Sequence, residues 1–420
     1  MNVHPWIKNY HGQVLILSTL FLFCVGGLYN IPYGLLALLG LYNLIRKPVV
    51  IAEDENYRLT TILFLCIWVP MVLSLIDAEA PGHSAKTVIS YTHFFFAGLY
   101  IIELLKKQPV RQAIQIGTFV ILTFWAIDAF IQYLAGVNLL GKPAIGNQLT
   151  GMFYPKMRVG LVLAVFLPVY LGFVLTYSGK NKWLWLLLIP LFVVIIFSNK
   201  RSAWLMAILG LSACGLYLCL RDGMRIFKKF AVPALVVITV AAAFIVNDEA
   251  FRSHVKRTAG LASNDYELMD IATSRRMSLW STSMSIFSDH WLNGIGPRGF
   301  RHVYLEYANP DNFFVQEGRR GQTHPHLFVM EIATETGIVG LTGIIFFWLF
   351  FLWKFGSVWR KYDVLQMAWL LSGMVAFFPL NAHFAFYGTF WSSVSWLILA
   401  IAMGMANFST NGRSEERQQG

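Results

Sequence analysis

The segment RRGQTHPHLFVMEIATETGIVGL, residues 319–341, carries two arginines, two histidines and two glutamates, and the sequence after it is apolar as far as Trp353. In a water-soluble protein such a segment would form a surface helix. The composition excludes that class of protein, because 56% of the 420 residues are hydrophobic and only 13% are charged. These values are typical of polytopic membrane proteins.

Long apolar segments recur along the whole chain with short polar breaks, which predicts an all-α bundle of about twelve transmembrane helices. The predicted spans cover residues 11–30, 32–46, 59–77, 89–105, 112–136, 159–178, 183–198, 203–220, 230–247, 326–353, 364–382 and 388–407. Nine spans thus lie within residues 1–247 and three within 326–407. A long loop that we expect to contain amphipathic helices joins them at 248–325, and residues 408–420 form a polar tail.

The net charge of +11 follows this topology and does not indicate a nucleic-acid partner. With both termini in the cytoplasm, eighteen of the 33 Lys and Arg residues fall in cytoplasmic segments and only six in short outer loops. Cytoplasmic loops of membrane proteins are enriched in Lys and Arg. The charge distribution therefore predicts that the loop at 248–325 lies outside and that the tail at 408–420 is cytoplasmic.

Ionisable residues at membrane depth are costly, about 2.5 to 3.5 kcal/mol each on insertion scales, and are functional candidates for that reason. Lys200 and Arg201 lie in a four-residue connection between two spans on the outer side, against the positive-inside bias. In the long loop, four apolar residues recur at helical spacing: Met277, Trp280, Met284 and Phe287. This spacing predicts an amphipathic helix along the membrane surface or over the bundle.

Arg275 and Arg276 open this predicted surface helix. Anions bind favourably at helix N-termini, and a guanidinium there can contact two phosphate oxygens at once. Residues Gly294–Gly299 spell G-x-G-x-x-G, but the motif follows a helix and contains Pro297, so we reject a nucleotide-binding role. A glycine-rich turn that closes the surface helix explains it.

Pro325 suits the first turn of a helix and predicts that the tenth span begins near His324 to His326. Counting about 100° per residue, small residues of that helix share a face with His326, while its two glutamates point elsewhere. The small residues are Ala333, Gly337 and Gly340, and the glutamates are Glu331 and Glu335. The outer layer around His326 also contains Arg201, Arg276, Arg298, Arg319 and Arg320.

A basic pocket beside lipid suits a ligand that carries several negative charges on an apolar tail, such as a lipid diphosphate. A neutral histidine in the pocket could accept a proton from a hydroxyl while the arginines stabilise the departing diphosphate. A metal site from His324, His326 and Glu331 is disfavoured, because His-x-His on a helix separates its ligands by about 200°. The sequence also lacks an Asp-x-Asp pair. We expect neither a metal nor another cofactor.

These residues resemble the O-antigen ligase and polymerase superfamily, and its ligases most closely. The hallmark is a histidine, then one further residue, then a stretch of nine residues, and then G-x-x-G. His326, Gly337 and Gly340 fit this pattern. Leu327 stands where the family usually has Asn, Ser or Gln.

Three further marks of the family have counterparts in the chain. Arg276 and Trp280, four residues apart, precede the glycine-rich turn Gly294–Gly299, and Arg201 lies on a short outer loop between central spans. Glu335, two residues before Gly337, is also similar to the family pattern.

The resemblance implies an integral-membrane glycosyltransferase that is inverting and metal-independent. The donor would be a glycan on undecaprenyl diphosphate, and the acceptor a sugar hydroxyl of lipid A-core on the periplasmic side of the bacterial inner membrane. Arg201 and Arg276 would bind the diphosphate and His326 would activate or orient the acceptor. Secondary candidates are Lys200, Arg298, Arg319, His324, Tyr154, Lys156 and Glu335. Further expected contacts are membrane lipid and other O-antigen assembly proteins.

Two other functions remain open at this point. A polymerase of the same superfamily would explain the same cluster of residues, because its acceptor also carries a lipid diphosphate. A lipid-linked oligosaccharide flippase or a drug exporter also has about twelve spans. A transporter of this class should show an internal repeat with charges near the bilayer midplane, and no such repeat is visible in the sequence.

Overall fold

The computed structural model describes residues 5–46, 54–223, 265–316, 320–382 and 384–405, with side chains from residue 10 onward. Its regular secondary structure is helical, apart from two isolated β-bridges within residues 137–148. The α-helices are α1 (Pro5–Phe21), α2 (Asn30–Arg46), α3 (Glu55–Leu73), α4 (Pro81–Leu104), α5 (Gln108–Ala135), α6 (Val159–Val165), α7 (Leu167–Tyr177), α8 (Leu188–Phe197), α9 (Arg201–Asp222), α10 (Tyr266–Ala272), α11 (Arg276–Asp289), α12 (Phe300–Tyr307), α13 (Phe328–Val358), α14 (Val364–Ala376) and α15 (Thr389–Met405).

Five of these helices, α3, α4, α5, α9 and α13, are long and apolar enough to cross a membrane, and the bent pair α6 and α7 makes up to six. Shorter apolar helices coincide with four other predicted spans: Tyr10–Cys24, Lys182–Phe197, Val364–Ala376 and Thr389–Met405. The chain therefore has the helical architecture of a polytopic membrane protein. The number twelve and the outer position of the loop at 248–325 stay predictions, and the span at 230–247 lies outside the described residues.

The predicted span at 159–178 is not one continuous helix. It divides into α6 and α7, which meet at Phe166 at an angle of 56°. Pro168 lies in the first turn of α7. Proline has no backbone N–H and its ring excludes the carbonyl four residues earlier, so a helix cannot pass through this position without a bend.

The helix α13 begins at Phe328, later than predicted, and Leu327 is its N-cap without a side-chain hydrogen bond. Loop carbonyls cap the helix instead. The Phe328 N–H donates to the Asn381 carbonyl, and the Val329 N–H donates to the Pro379 carbonyl, both at 3.0 Å. Because backbone groups satisfy these donors, the position of Leu327 does not need an amide or hydroxyl side chain.

Gly337 breaks α13 in its third turn, with φ 63° and ψ −158°. This backbone conformation is essentially restricted to glycine. A Cβ atom at this position would lie 2.2 Å from the Leu292 carbonyl oxygen. The expectation that His326, Gly337 and Gly340 share one helical face is therefore wrong, because His326 precedes the helix and the break changes the direction of the residues after it.

The turn at 291–296 inserts into this break. The Ile338 N–H donates to the Trp291 carbonyl at 2.8 Å, and the N–H groups of Ile295 and Gly296 donate to α13 carbonyls at 3.0 Å. The turn thereby satisfies backbone groups that a continuous helix would have paired. The glycine-rich motif of the sequence therefore has a structural role. Gly294 lets the backbone of the turn lie close to the backbone of α13.

Candidate active site

One cavity of about 740 Å³ opens where the connection before α9, the α10–α11 turn, residues 145–148 and the segment before α13 meet. We call it the α9–α11 cavity. Lys200, Arg201, Arg276 and His326 are among its lining residues. The three principal candidates from the sequence therefore share a single space, although 125 positions separate Arg201 from His326 along the chain.

Arg201 is attached to the turn that carries Arg276. Its guanidinium donates hydrogen bonds to the Ala272 carbonyl and to Ser274 Oγ, the latter at 3.1 Å. Arg201 is also the first residue of α9, and Lys200 is the N-cap. The start of α9 and the α10–α11 turn are thus connected at the cavity wall.

The α10–α11 turn has two consecutive residues in the left-handed region, Ser274 and Arg275, with φ of 63° and 62°. Asp270 stabilises the turn, because its carboxylate accepts from the Ser278 N–H at 3.1 Å and from Ser278 Oγ at 2.8 Å. Arg275 lies 3.6 Å from the same carboxylate. The tight turn directs the next residue, Arg276, into the cavity and starts α11, the surface helix that the sequence predicted.

Two cations of the cavity, Lys200 and Arg276, are partly buried. Burial lowers the pKa of Arg276, and the neighbouring Arg201 lowers it further. Burial, together with Arg276, lowers the pKa of Lys200 to about 8. Within the described parts of the chain, the side chains of Arg276 and Lys200 have no hydrogen bond or ion pair, and no carboxylate lines the cavity.

Desolvated cations that repel one another are unfavourable until an anion joins them. An anion with two or more charges, held by guanidinium groups that can each contact two oxygens, would relieve this repulsion. The α9–α11 cavity is therefore suited to a diphosphate.

His326 lies at the cavity with a left-handed backbone conformation, φ 55°. Its ring lies against that of His324, with 3.9 Å between the ring centroids. His324 is close to Thr323 Oγ1, at 3.0 Å from its Nδ1 atom, and is not among the lining residues. Both histidines precede α13. The prediction that a helix separates His324 and His326 by about 200° is therefore wrong. Among the described residues no group of three His, Cys, Asp or Glu side chains could hold a metal ion.

Other sequence candidates lie elsewhere. Tyr154 and Lys156 are exposed and are not among the residues of the α9–α11 cavity, although the neighbouring Met157 is. The Lys142 ammonium lies 5.7 Å from the centroid of the Tyr154 ring. Arg319 lies outside the described residues.

Arg298 lines a different cavity and is tied to two buried glutamates of α13. Its backbone N–H donates to Glu335 Oε2 at 2.6 Å, and its guanidinium lies 3.9 Å from Glu331 Oε1. Glu331 also accepts from the N–H groups of Phe386 and Tyr387, at 2.8 and 3.2 Å. Sequence reasoning missed this role of Glu331. Two glutamates four residues apart at membrane depth were the available signal, because such residues normally have a partner.

Two polar residues of α5 hold the loop that contributes residues 145–148 to the lining of the α9–α11 cavity. Gln132 Oε1 accepts from the N–H groups of Thr150 and Gly151, both at 2.9 Å. Asp128 Oδ1 accepts from the Leu139 N–H at 3.0 Å. These bonds fix both ends of the loop, so the buried polar residues of α5 support the cavity without lining it.

Comparison with known proteins gives one family. A family model described as O-antigen ligase matches residues 184–345. The matched region contains Arg201, Arg276, Arg298, His326 and Glu335. No curated protein sequence matches the chain. The match covers the start of α9, the surface helix and the broken helix that together build the cavity, and it implies an enzyme of the membrane glycosyltransferase type. The match over residues 184–345 therefore supports membership of the O-antigen ligase/polymerase superfamily.

Proposed function

We propose that this chain is an O-antigen ligase, which transfers a glycan from undecaprenyl diphosphate to a sugar hydroxyl of lipid A-core. The observation that carries the proposal is the single cavity lined by Arg201, Arg276 and His326. Two guanidinium groups that line the same cavity match the diphosphate of the donor. The histidine provides a group that can exchange a proton beside them.

In the proposed reaction the oxygen of the acceptor hydroxyl attacks the anomeric carbon of the donor glycan. The bond between that carbon and the diphosphate oxygen breaks, and its electron pair leaves with the diphosphate. His326 accepts the hydroxyl proton as the new glycosidic bond forms. The products are the glycosylated lipid A-core, undecaprenyl diphosphate and one proton, which His326 releases. A single displacement inverts the anomeric centre.

Arg201 and Arg276 stabilise the leaving group in this mechanism. Negative charge grows on the diphosphate as its bond to the sugar breaks, so fixed cations act most strongly on the transition state. Arg201 is held in place by the Ala272 carbonyl and Ser274. This prior fixation means that little reorganisation is needed when the bond breaks. The energy for transfer comes with the diphosphate donor, without a metal or other cofactor.

The proposed location is the inner membrane, with both termini in the cytoplasm and the cavity on the periplasmic side. The distribution of Lys and Arg over the short loops supports this orientation. The partners are then membrane lipid, the two lipid-linked substrates and other O-antigen assembly proteins.

The test is a transfer assay with purified protein in lipid nanodiscs, undecaprenyl-diphosphate glycan and lipid A-core, in buffer with a metal chelator. We expect ligated lipopolysaccharide by gel and mass spectrometry, with inverted anomeric configuration by NMR. Absence of transfer by folded protein would contradict the proposal. Longer lipid-linked glycans from the donor alone would instead identify the polymerase reaction.

A further inference from the structure

A second cavity, of about 580 Å³, lies at the same end of the bundle. It is formed by the start of α2, residues 83–94 of α4, the start of α12 and the start of α15, and we call it the α2–α4 cavity. Ser84 of α4 binds the turn that follows α11, because its hydroxyl donates to the Pro297 carbonyl at 3.1 Å. The turn that follows α11 is thereby fixed between α13 and α4.

The mouth of the α2–α4 cavity is cationic. His83, Lys86, Arg298 and Arg301 line it, and none of its described lining residues is Asp or Glu. Arg298 has buried glutamates behind it, but Lys86 and Arg301 have no ion pair within the described parts of the chain. The Nε atom of Arg301 is buried and has no hydrogen-bond partner there. A buried donor without an acceptor is costly, so this mouth is expected to hold an anion.

The deeper part of the cavity is aromatic. Tyr91, Phe94 and Tyr387 form it and are buried. On the neighbouring outer surfaces of α2 and α4, Ile31 and Ile89 are 63% and 71% exposed. Such surfaces suit the lipid-facing side of a membrane helix. A cationic mouth above an aromatic floor, beside an apolar surface, matches a phosphate group carried on an apolar molecule.

We propose that the α2–α4 cavity binds the phosphate of the acceptor glycolipid. The proposal rests on the proposed function for the identity of the acceptor, but the site itself rests on the cations and aromatic residues described above. The donor diphosphate and the acceptor phosphate then occupy separate cavities. The surface helix α11 lines the first cavity and leads directly into the turn that presents Arg298 to the second.

The binding of bisphosphorylated lipid A to the full-length protein in nanodiscs tests this site. The test variant is the double substitution Lys86→Ala and Arg301→Ala. Its matched control is Arg360→Ala and Lys361→Ala, which removes two exposed cations from the turn at the opposite end of α13. We expect the test variant to weaken lipid A binding about tenfold or more, as for loss of charged hydrogen bonds. The control should bind like the wild type.

Three further sets of binding measurements test whether the site is specific for the lipid A phosphates and whether the test variant is folded. Dephosphorylated lipid A should bind weakly to all variants, and phosphatidylglycerol should compete poorly with bisphosphorylated lipid A. Undecaprenyl diphosphate should bind the test variant as it binds the wild type. The conservative pair Lys86→Arg and Arg301→Lys should restore most of the lipid A affinity if charge is what matters, which separates loss of binding from loss of folding.

Unchanged lipid A affinity in the test variant would overturn the proposal, as would equal binding of phosphatidylglycerol, which would indicate a general phospholipid site. An equal loss of undecaprenyl diphosphate binding would also overturn it, because the cavities would not be separate. Lipid A binding that behaves as expected without any transfer activity would refute the proposed function and leave this site intact. Transfer activity of the wild type, together with unaltered lipid A binding by the test variant, would support the proposed function and overturn this site.

Discussion

Arg276 and Arg298 are the same residue type at the same end of the bundle, yet their surroundings differ. Arg276 lines a cavity in which none of the described lining residues is Asp or Glu, and Arg201 and Lys200 lie next to it. Arg298 lies against the buried carboxylates of Glu331 and Glu335. An arginine with buried carboxylates stabilises the fold around it, whereas a partly buried arginine without one is available for an anionic ligand.

The same difference separates the segment before α13 from the first turns of that helix. The segment before the helix brings His326 to the α9–α11 cavity, and the first turns bury both glutamates. We therefore expect substitutions at the α9–α11 cavity to alter transfer activity alone, and substitutions around the two glutamates to alter stability.

The largest effect is expected for His326→Ala. Loss of a general base costs about 10²- to 10⁴-fold in rate, and the transfer assay with purified protein measures it. Folding and binding of undecaprenyl diphosphate should be retained, because the arginines remain. His324→Ala is the matched control, since His324 does not line the cavity, and it should retain much more activity. Wild-type transfer by His326→Ala would remove this residue from the mechanism.

Arg298→Ala should instead destabilise the protein. Removing one partner of a buried ion pair typically costs about 3 to 5 kcal/mol, because the remaining charge is left uncompensated. Thermal unfolding in detergent should show a lower Tm than for wild type. A double substitution that also changes Glu331 to Gln should recover part of the loss. A Tm equal to that of wild type would mean that Arg298 is not structurally paired.

Arg276→Ala should leave the Tm unchanged and lower the transfer rate about 10²- to 10³-fold, the usual range for one donor that stabilises a developing negative charge. Arg276→Lys should recover only part of the rate, because an ammonium cannot contact two phosphate oxygens in a fixed geometry. A lower Tm combined with full activity would reverse the roles assigned to Arg276 and Arg298.

Gly337→Ala should destabilise the protein by about 1 to 3 kcal/mol, the cost of a backbone conformation that only glycine tolerates. The added Cβ would also meet the Leu292 carbonyl oxygen at 2.2 Å. Gly356→Ala, in the same helix, has no atom within 4 Å of its added Cβ and should be neutral or slightly stabilising. Equal Tm values for both variants would contradict the insertion of the turn into α13.

The smallest effect concerns pH. Burial and Arg276 lower the pKa of Lys200 to about 8, so its charged form is lost as the pH rises from 7 to 9. The affinity for undecaprenyl diphosphate should fall severalfold over this range. Lys200→Arg keeps the charge and should remove the dependence. The other cations that line the cavity are Arg201, Arg275 and Arg276, which stay charged at these pH values. A pH dependence unaltered in Lys200→Arg would exclude Lys200 as its source.

Much of the architecture and part of the site could be predicted from sequence. Composition and hydropathy indicate a helical membrane bundle. The helical spacing of Met277, Trp280, Met284 and Phe287 correctly predicts a helix here, α11. The positive-inside bias draws attention to Lys200 and Arg201, which do line the cavity. These inferences work because they depend on local spacing and on the cost of charge near a bilayer.

The remaining features depend on contacts between distant segments. Helical counting placed His326, Gly337 and Gly340 on one face because it assumed a continuous helix, and the break at Gly337 is stabilised by the turn at 291–296. The pairing of Glu331 with Arg298 and with the segment before α15 has the same origin. No periodicity in α13 alone contains this information.

The central claim is that the arginines that line the α9–α11 cavity bind the diphosphate. Its most direct test is the Kd of undecaprenyl diphosphate for the wild type, for Arg276→Ala and for Lys361→Ala as a control at the opposite end of α13. We predict that Arg276→Ala weakens binding about tenfold or more and that the control does not change it. Equal Kd values for the wild type and Arg276→Ala would contradict the claim.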